Sequence, residues 1–591
     1  MMIRRLITVA VFLLAVFFLW KNMKRKEAGK ITREKVLVTV NESPIKGFDP
    51  INSSDVYTAR EIAKVYEGLL EYHYLKRPFE LVPNLAESMP TVSDDQLVYT
   101  FKLREGVTFH DNPCFPQGKG RELTAEDFVF TFKRLADPKN QSLNFWMIDD
   151  KIQGLNEWRK KYSDAATVDY SEAVAGVQAI DRYTIQFKLN RPYPQFLYAL
   201  ATVPCYVVAK EAVAYYGEEF TNHPVGTGPF LTEPFNSQHT KIVYYKNGNF
   251  RDKLFPNEAS DAYKHMLTYA DRKLPLVDKI VTNILPEEQP RWLKFQKGQL
   301  DVLDISRDNI ALEIIQNNSL IPSLQDKEVQ LFRVGETSTS YVVFNLSYEL
   351  FRNNLKLRQA MSLAFDAAEY NKLFYNGGAI LAQSTIAPGL PGYQPDYRNP
   401  YRMFNLEKAK QYLADAGYAG GKGLPEFTLD IGHTTAERQK GELFQKFMRK
   451  IGINIKVVPN IFPELIKKIN NKSTILHAIS WAADYPDAET FLQLLYTHAE
   501  GGIGVNFDDP VYNALYEKAT SIPDSSEKTQ LYEQLNQIAA EKVPCIYIVH
   551  PRHNILQQGW LKNYTWSDFH FGTEQYWDID LEKKQALLGK L

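Results

Sequence analysis

The chain has 591 residues, and its 69 basic and 70 acidic side chains leave a formal net charge of -1. With 44% hydrophobic and 24% charged residues it has the composition of a folded globular protein, too long for one core, so two or three lobes are expected and disorder is excluded. The balanced charge offers no field for nucleic acid or an anionic membrane, and Cys114, Cys205 and Cys545 lack both zinc-ligand spacing and the density of a disulfide framework, leaving room for one bridge at most.

Residues 6–20 read LITVAVFLLAVFFLW, apolar apart from Thr8, after Arg4 and Arg5 and before Lys21, Lys24, Arg25 and Lys26. A basic start followed by an apolar run is an export address. No small-residue cleavage pattern follows, no cysteine stands close enough to take a lipid, and residues 1–23 approach the ~20 apolar residues that span a bilayer. An uncleaved N-terminal anchor is therefore expected, with a cleaved signal peptide as the alternative. Basic residues flank both ends of the run, so charge does not fix its orientation.

Residues 21–35 form a charged linker, and folding is expected to begin with a strand at 36–40. Ile62, Val65, Tyr66, Leu69 and Leu70 recur at helical spacing, which predicts an amphipathic helix over 59–72. Thr124 with Asp127 approximates a capping box for a helix carrying Phe128, Phe132 and Leu135, ended by Asp137-Pro138. Further helices are signalled by Leu357, Ala360, Met361 and Ala364, by residues 409–416, and by Leu531, Leu535 and Ile538. Strand-like runs fall at 98–103, 183–189, 242–245, 340–346, 427–431 and 545–549, so helices and strands interleave and the class is α/β.

The most informative stretch is Ser480-Trp481-Ala482-Ala483-Asp484-Tyr485-Pro486-Asp487. A Trp with a carboxylate three residues on suits an ammonium group, because the acid supplies opposite charge and the ring an apolar, π-rich wall. The competing reading makes Trp481 core and Asp484 and Asp487 caps of a helix through Phe491, Leu492, Leu494 and Leu495. The aromatic content of 13% is mildly in favour of a pocket lined for varied side chains.

Spacings dictated by catalysis are missing: the chain has no GxSxG, HExxH or GxxxxGK[ST], and no GxGxxG following a strand. His550-Pro551-Arg552-His553, with His570 beyond, lacks a third metal ligand and reads as packing or surface. Gly226-Thr227-Gly228-Pro229, Gly118-Lys119-Gly120 and Gly420-Gly421-Lys422-Gly423 read as turns, not phosphate cradles. No cofactor, metal or enzymatic activity is expected.

Taken in order, the motifs resemble those of the bacterial family 5 extracellular solute-binding proteins, the peptide- and nickel-binding receptors of ABC importers. The likeness runs from Phe48-Asp49-Pro50 through Val65-Tyr66-Glu67-Gly68-Leu69-Leu70, Pro83-Asn84-Leu85-Ala86-Glu87-Ser88, Phe109-His110-Asp111 and Leu123-Thr124-Ala125-Glu126-Asp127-Phe128. It continues with Val225-Gly226-Thr227-Gly228-Pro229-Phe230, Leu357-Arg358-Gln359-Ala360-Met361-Ser362, Ala416-Gly417-Tyr418 and Trp481 to Asp484. Departures are an insertion at 112–117, another near 154–169, and Asp487-Ala488 where Asp-Pro is frequent.

The resemblance implies a two-lobed periplasmic-binding-protein clamshell (type II, cluster C) with an additional domain inserted in lobe I. Lobe I would comprise 36–70, 201–306 and 550–591, the additional domain 71–200, and lobe II 307–549, with ligand enclosed as the lobes close. It further implies that Asp484 holds a peptide's ammonium group, that Trp481 and Tyr485 belong to the same pocket, and that the strand at 336–341, with Thr337, Ser338 and Thr339, pairs with the peptide backbone. Trp146, beside Phe145, would line the pocket from the additional domain. Around His477 no strongly basic residue precedes the Trp, so recognition of the ligand's C-terminus does not carry over. Implied partners are a peptide and an inner-membrane ABC permease, with no nucleic acid, an N-terminal membrane contact and a monomeric, periplasmic chain. The alternatives are a non-peptide ligand such as a metal chelate, or a membrane-tethered sensor or chaperone.

Overall fold

The computed structural model describes residues 34–589 apart from 54, 237, 306–313, 317–318 and 498–501, so the expected anchor lies outside the described residues. Val36–Asn41, whose side chains alternate between half-buried and buried, runs parallel to Lys279–Ile284. Lys241–Lys246 and Phe230–Thr232 complete this four-stranded sheet.

The periodicity over 59–72 is only partly realised as helix. The helix is Val56–Ile62, capped by Asp55, whose carboxylate accepts from the Thr58 amide at 2.8 Å. Beyond it the carbonyls of Lys64 and Val65 accept from Phe230 and Gly228 at 3.2 and 2.9 Å, and Leu70–Tyr72 emerges as a strand. A segment far away in sequence thus claims the carbonyls a continuing helix would use. Gly226 permits that approach, since a Cβ there would sit 2.0 Å from the Val65 carbonyl oxygen.

Ala125–Ala136 is a helix with the Thr124/Asp127 capping box formed, burying Phe128, Phe132 and Leu135. It packs on a four-stranded antiparallel sheet of Thr91–Val92, Val98–Lys102, Thr184–Lys188 and Val177–Asp181, all within the span expected for the additional domain. Arg134 joins this unit to the first lobe through two hydrogen bonds to Asp49, at 2.9 and 2.6 Å.

A second, five-stranded sheet orders Ile455–Asn460, Phe427–Gly432, Leu476–Ala482, Ser338–Phe344 and Cys545–Tyr547. Helices Leu355–Ala364, Leu406–Asp415, Thr435–Arg449 and Ser526–Lys542 belong to the same half of the chain. The run expected at 340–346 begins two residues earlier, and that at 545–549 is split into Cys545–Tyr547 and Val549–His550.

Strands on both sides of the expected border after residue 306 share one sheet. Gln330–Gly335 pairs with Arg552–Gln557, which also pairs with Val302–Asp304, so all three share one sheet. Just beyond this sheet the Glu336 amide donates to the Pro551 carbonyl at 3.0 Å. Local patterning could not reveal this, because the partner strand lies more than two hundred residues downstream. Cys114, Cys205 and Cys545 are all free. Among the described residues no helix is long and apolar enough to cross a membrane, and no group of His, Cys, Asp and Glu is placed to hold a metal ion.

Candidate functional site

Antiparallel pairing of Ser338–Phe344 with Leu476–Ala482 sets Thr339 opposite Trp481, and the Ala483 amide donates to the Thr337 carbonyl at 2.8 Å. Residues more than 140 apart in sequence thereby converge on one end of two neighbouring strands. The Thr337 amide and hydroxyl donate to Asp568 at 3.3 and 2.9 Å, and the Thr339 hydroxyl donates to the Thr385 carbonyl at 2.9 Å. The Ser338 hydroxyl is buried without a hydrogen-bond partner among the described residues.

Both edges of the strand expected to pair with a peptide backbone, 336–341, are occupied within the chain. One edge is taken by 476–483, and the other by Ile548, whose amide donates to the Ser340 carbonyl at 2.8 Å, and by Pro551. The open edge belongs instead to 478–482. Its second neighbour, Phe427–Gly432, pairs only at Leu476 and His477, and Ser480 and Ala482 are exposed. This edge runs directly into Asp484.

Asp484 and Asp487 are only three residues apart, yet their surroundings differ. Asp487 is buried and fully engaged: it accepts from Lys528 Nζ at 3.2 Å, from the Tyr532 hydroxyl at 2.6 Å and from the Glu489 amide at 2.8 Å, at the start of the short helix Glu489–Leu492. Asp487 thus meets the first amide of that helix, although the N-cap position itself is Ala488. Asp484 has no basic partner among the described residues, only the Thr490 hydroxyl at 3.0 Å, which also stands 3.4 Å from Trp481 Nε1. Burial pushes its carboxyl up to about 7, against the opposing pull of that hydrogen bond and with Glu489 adding to the rise. Part of the residue stays accessible although the carboxyl is desolvated, a combination that fits the wall of an internal space. A carboxylate so placed would be stabilised by an incoming cation.

The additional domain supplies a second wall that sequence reasoning missed. Tyr198 stacks on Tyr485 at 5.6 Å with planes 3° apart, and Tyr72 stacks behind Tyr198 at 6.5 Å. The Tyr193 and Tyr485 hydroxyls stand 3.4 Å apart, while Gln195 donates to Asp487 at 3.4 Å and Tyr532 at 3.3 Å. Tyr485 and Tyr516 both donate to Glu489. These partners lie some three hundred residues apart in sequence, and only the aromatic excess hinted at them. Trp146 sits half-buried in the turn Phe145–Met147, and its carbonyl receives Lys151 Nζ at 2.9 Å. Lys151 in turn lies 5.3 Å over the Tyr193 ring. His477 is fully buried, bonded to Ile503 and Thr474 and depressed by burial to about 4, so it faces the core.

Residues 80–502 match the family described as Bacterial extracellular solute-binding proteins, family 5 Middle. The chain belongs to this family. Among family members it is 27% identical to the Dipeptide-binding protein of Escherichia coli strain K12 over 534 residues, covering 87% of this chain and 89% of the relative. It is 26% identical to Heme-binding protein A of Haemophilus influenzae over 576 residues, covering 95% of each. The fold is that of the type II periplasmic binding proteins. It superposes with a TM-score of 0.73, at 23% identity, on an ABC-transporter-associated periplasmic binding protein of Helicobacter pylori in complex with the peptide STSA, covering 92% of this chain and 98% of that one. A dipeptide-binding protein of Pseudoalteromonas in complex with Met-Leu gives 0.72, at 23% identity and coverages of 92% and 100%.

Proposed function

We propose that this family 5 solute-binding protein is the extracytoplasmic receptor of an ABC importer, that it captures peptides between its closing lobes and that it hands them to a membrane permease. The observation that carries the reading is Asp484: a desolvated carboxyl beside Trp481, without a basic partner among the described residues, at the end of an open strand edge. A peptide laid along 478–482 as an added strand brings its ammonium group to Asp484, with Tyr485 and Tyr198 closing over it. Backbone pairing reads any sequence, so specificity is broad. Thr337, Ser338 and Thr339 hold the neighbouring strand in register, and Trp146 borders the pocket through Lys151 and Tyr193. The protein acts as a monomer with no catalytic step, tethered to the inner membrane by residues 6–20 as an uncleaved helix.

The test compares short peptides with their N-acetylated forms by calorimetry. Binding of the free-amine peptides with loss on acetylation supports the reading, and equal binding of both forms overturns it. The similarity to Heme-binding protein A across 95% of both chains makes haem the second ligand to titrate; haem binding without peptide binding would replace the peptide reading.

A further inference from the structure

Residues 380–398 enclose a half-open cavity of about 260 Å³ that the peptide reading does not use. It lies across the central strands from Asp484. Ile380–Leu381 pairs with Val549–His550, on the side of Ser338–Phe344 away from Leu476–Ala482. This volume falls below the ~300–1,000 Å³ of pockets for drug-sized ligands, so its occupant is small.

Its wall carries unused hydrogen-bonding capacity. Ser384 is only 4% exposed and lines the cavity. Gln394 lines it too, and its Oε1 is buried without a hydrogen-bond partner among the described residues. A buried polar atom in that state is costly unless something completes it. Arg398 Nη1 donates to the carbonyls of Pro395 and Tyr397, both at 2.9 Å, which fixes the guanidinium at the rim and leaves its other nitrogens for a ligand. No acidic residue lines the cavity. Ile380 and Leu381 give the floor an apolar surface.

We propose that this cavity is a second binding site, for a small carboxylate that also bears a hydrogen-bond donor, the chemistry of a free amino acid. The carboxylate meets Arg398 and the Ser384 hydroxyl, the donor meets Gln394 Oε1, and a short aliphatic side chain covers Ile380 and Leu381. Charge-assisted bonds from a guanidinium are the strong ones, so Arg398 carries most of the selectivity for an anion.

The test uses saturation-transfer NMR on the full chain with three probes: L-alanine, propionate and alaninamide. Asp484→Asn removes the amine site, so any remaining signal reports another site. In that background L-alanine and propionate are expected to bind, alanine severalfold more tightly, and alaninamide to give no signal. Adding Arg398→Gln is expected to weaken both carboxylates at least tenfold. Ser384→Val is expected to weaken them severalfold. Arg398 is exposed, so its replacement leaves the fold intact, which unchanged tri-alanine binding in the single variant Arg398→Gln checks. Carboxylate binding that is absent once Asp484 is replaced, or that is indifferent to Arg398→Gln, overturns the proposal.

Discussion

Asp484→Asn separates what the acid costs the empty protein from what it does for the ligand. The amide keeps the shape of the side chain and an oxygen for the Thr490 hydroxyl, but removes the charge. With the folded carboxyl near 7 and an unfolded aspartate near 3.9, at 1.36 kcal/mol per unit, the ionised acid destabilises the empty protein by about 4 kcal/mol above pH 7. The folded acid takes up its proton first as pH falls, so this cost fades from about pH 7 down to about pH 4. The variant is therefore expected to be more stable than the parent at pH 8 in the absence of peptide, and equal to it at pH 4. Its affinity for tri-alanine is expected to fall by two to three orders of magnitude, roughly 3–4 kcal/mol, because an ammonium group then enters a desolvated site without its counter-charge. The parent should also bind more weakly as pH drops below about 7, since protonation competes with the ligand, and the variant should lose that slope. Calorimetry at several pH values, with denaturation midpoints of the empty proteins, measures both effects. An affinity within threefold of the parent, or an unaltered pH slope, would refute the reasoning.

Gly226→Ala should lower the denaturation midpoint and destabilise by roughly 1–3 kcal/mol, because the new methyl meets the Val65 carbonyl and neither backbone has room to yield. Asp49→Ala strands the buried Arg134 guanidinium and should cost about 3–5 kcal/mol, read by chemical denaturation. His553 sits with Asp304 at 2.5 Å, Glu336 at 3.6 Å, Asp568 near by and the Trp566 ring at 4.1 Å. Burial alone would depress it, but Asp304, then Glu336 and Asp568, outweigh burial and raise it above 6.5. Its stabilising contribution is full below pH 6.5 and is lost as pH rises through the raised value. Replacing it by Gln should flatten the fall in stability on the alkaline side of pH 6.5, and an unchanged pH profile would deny His553 that role.

The sequence by itself determined whatever depends on neighbours along the chain. The Thr124/Asp127 box fixed a helix start, alternation marked the strands at 98–102 and 427–432, and an ordered series of motifs identified the family. The three-residue spacing of Trp481 and Asp484 pointed to an ammonium site, yet it could not tell Asp484 from Asp487. That difference comes from Lys528 and Tyr532, which the helix Ser526–Lys542 brings to one acid and not the other. Tertiary structure likewise ended the helix at Ile62, because the 226–230 segment takes the carbonyls beyond it, and joined Gln330–Gly335 to Arg552–Gln557, more than two hundred residues downstream, in one sheet. The same holds for the free strand edge and for Tyr198 over Tyr485. Helical and strand periodicities register contacts a few residues apart, whereas burial of a charge is decided by which distant side chains arrive beside it.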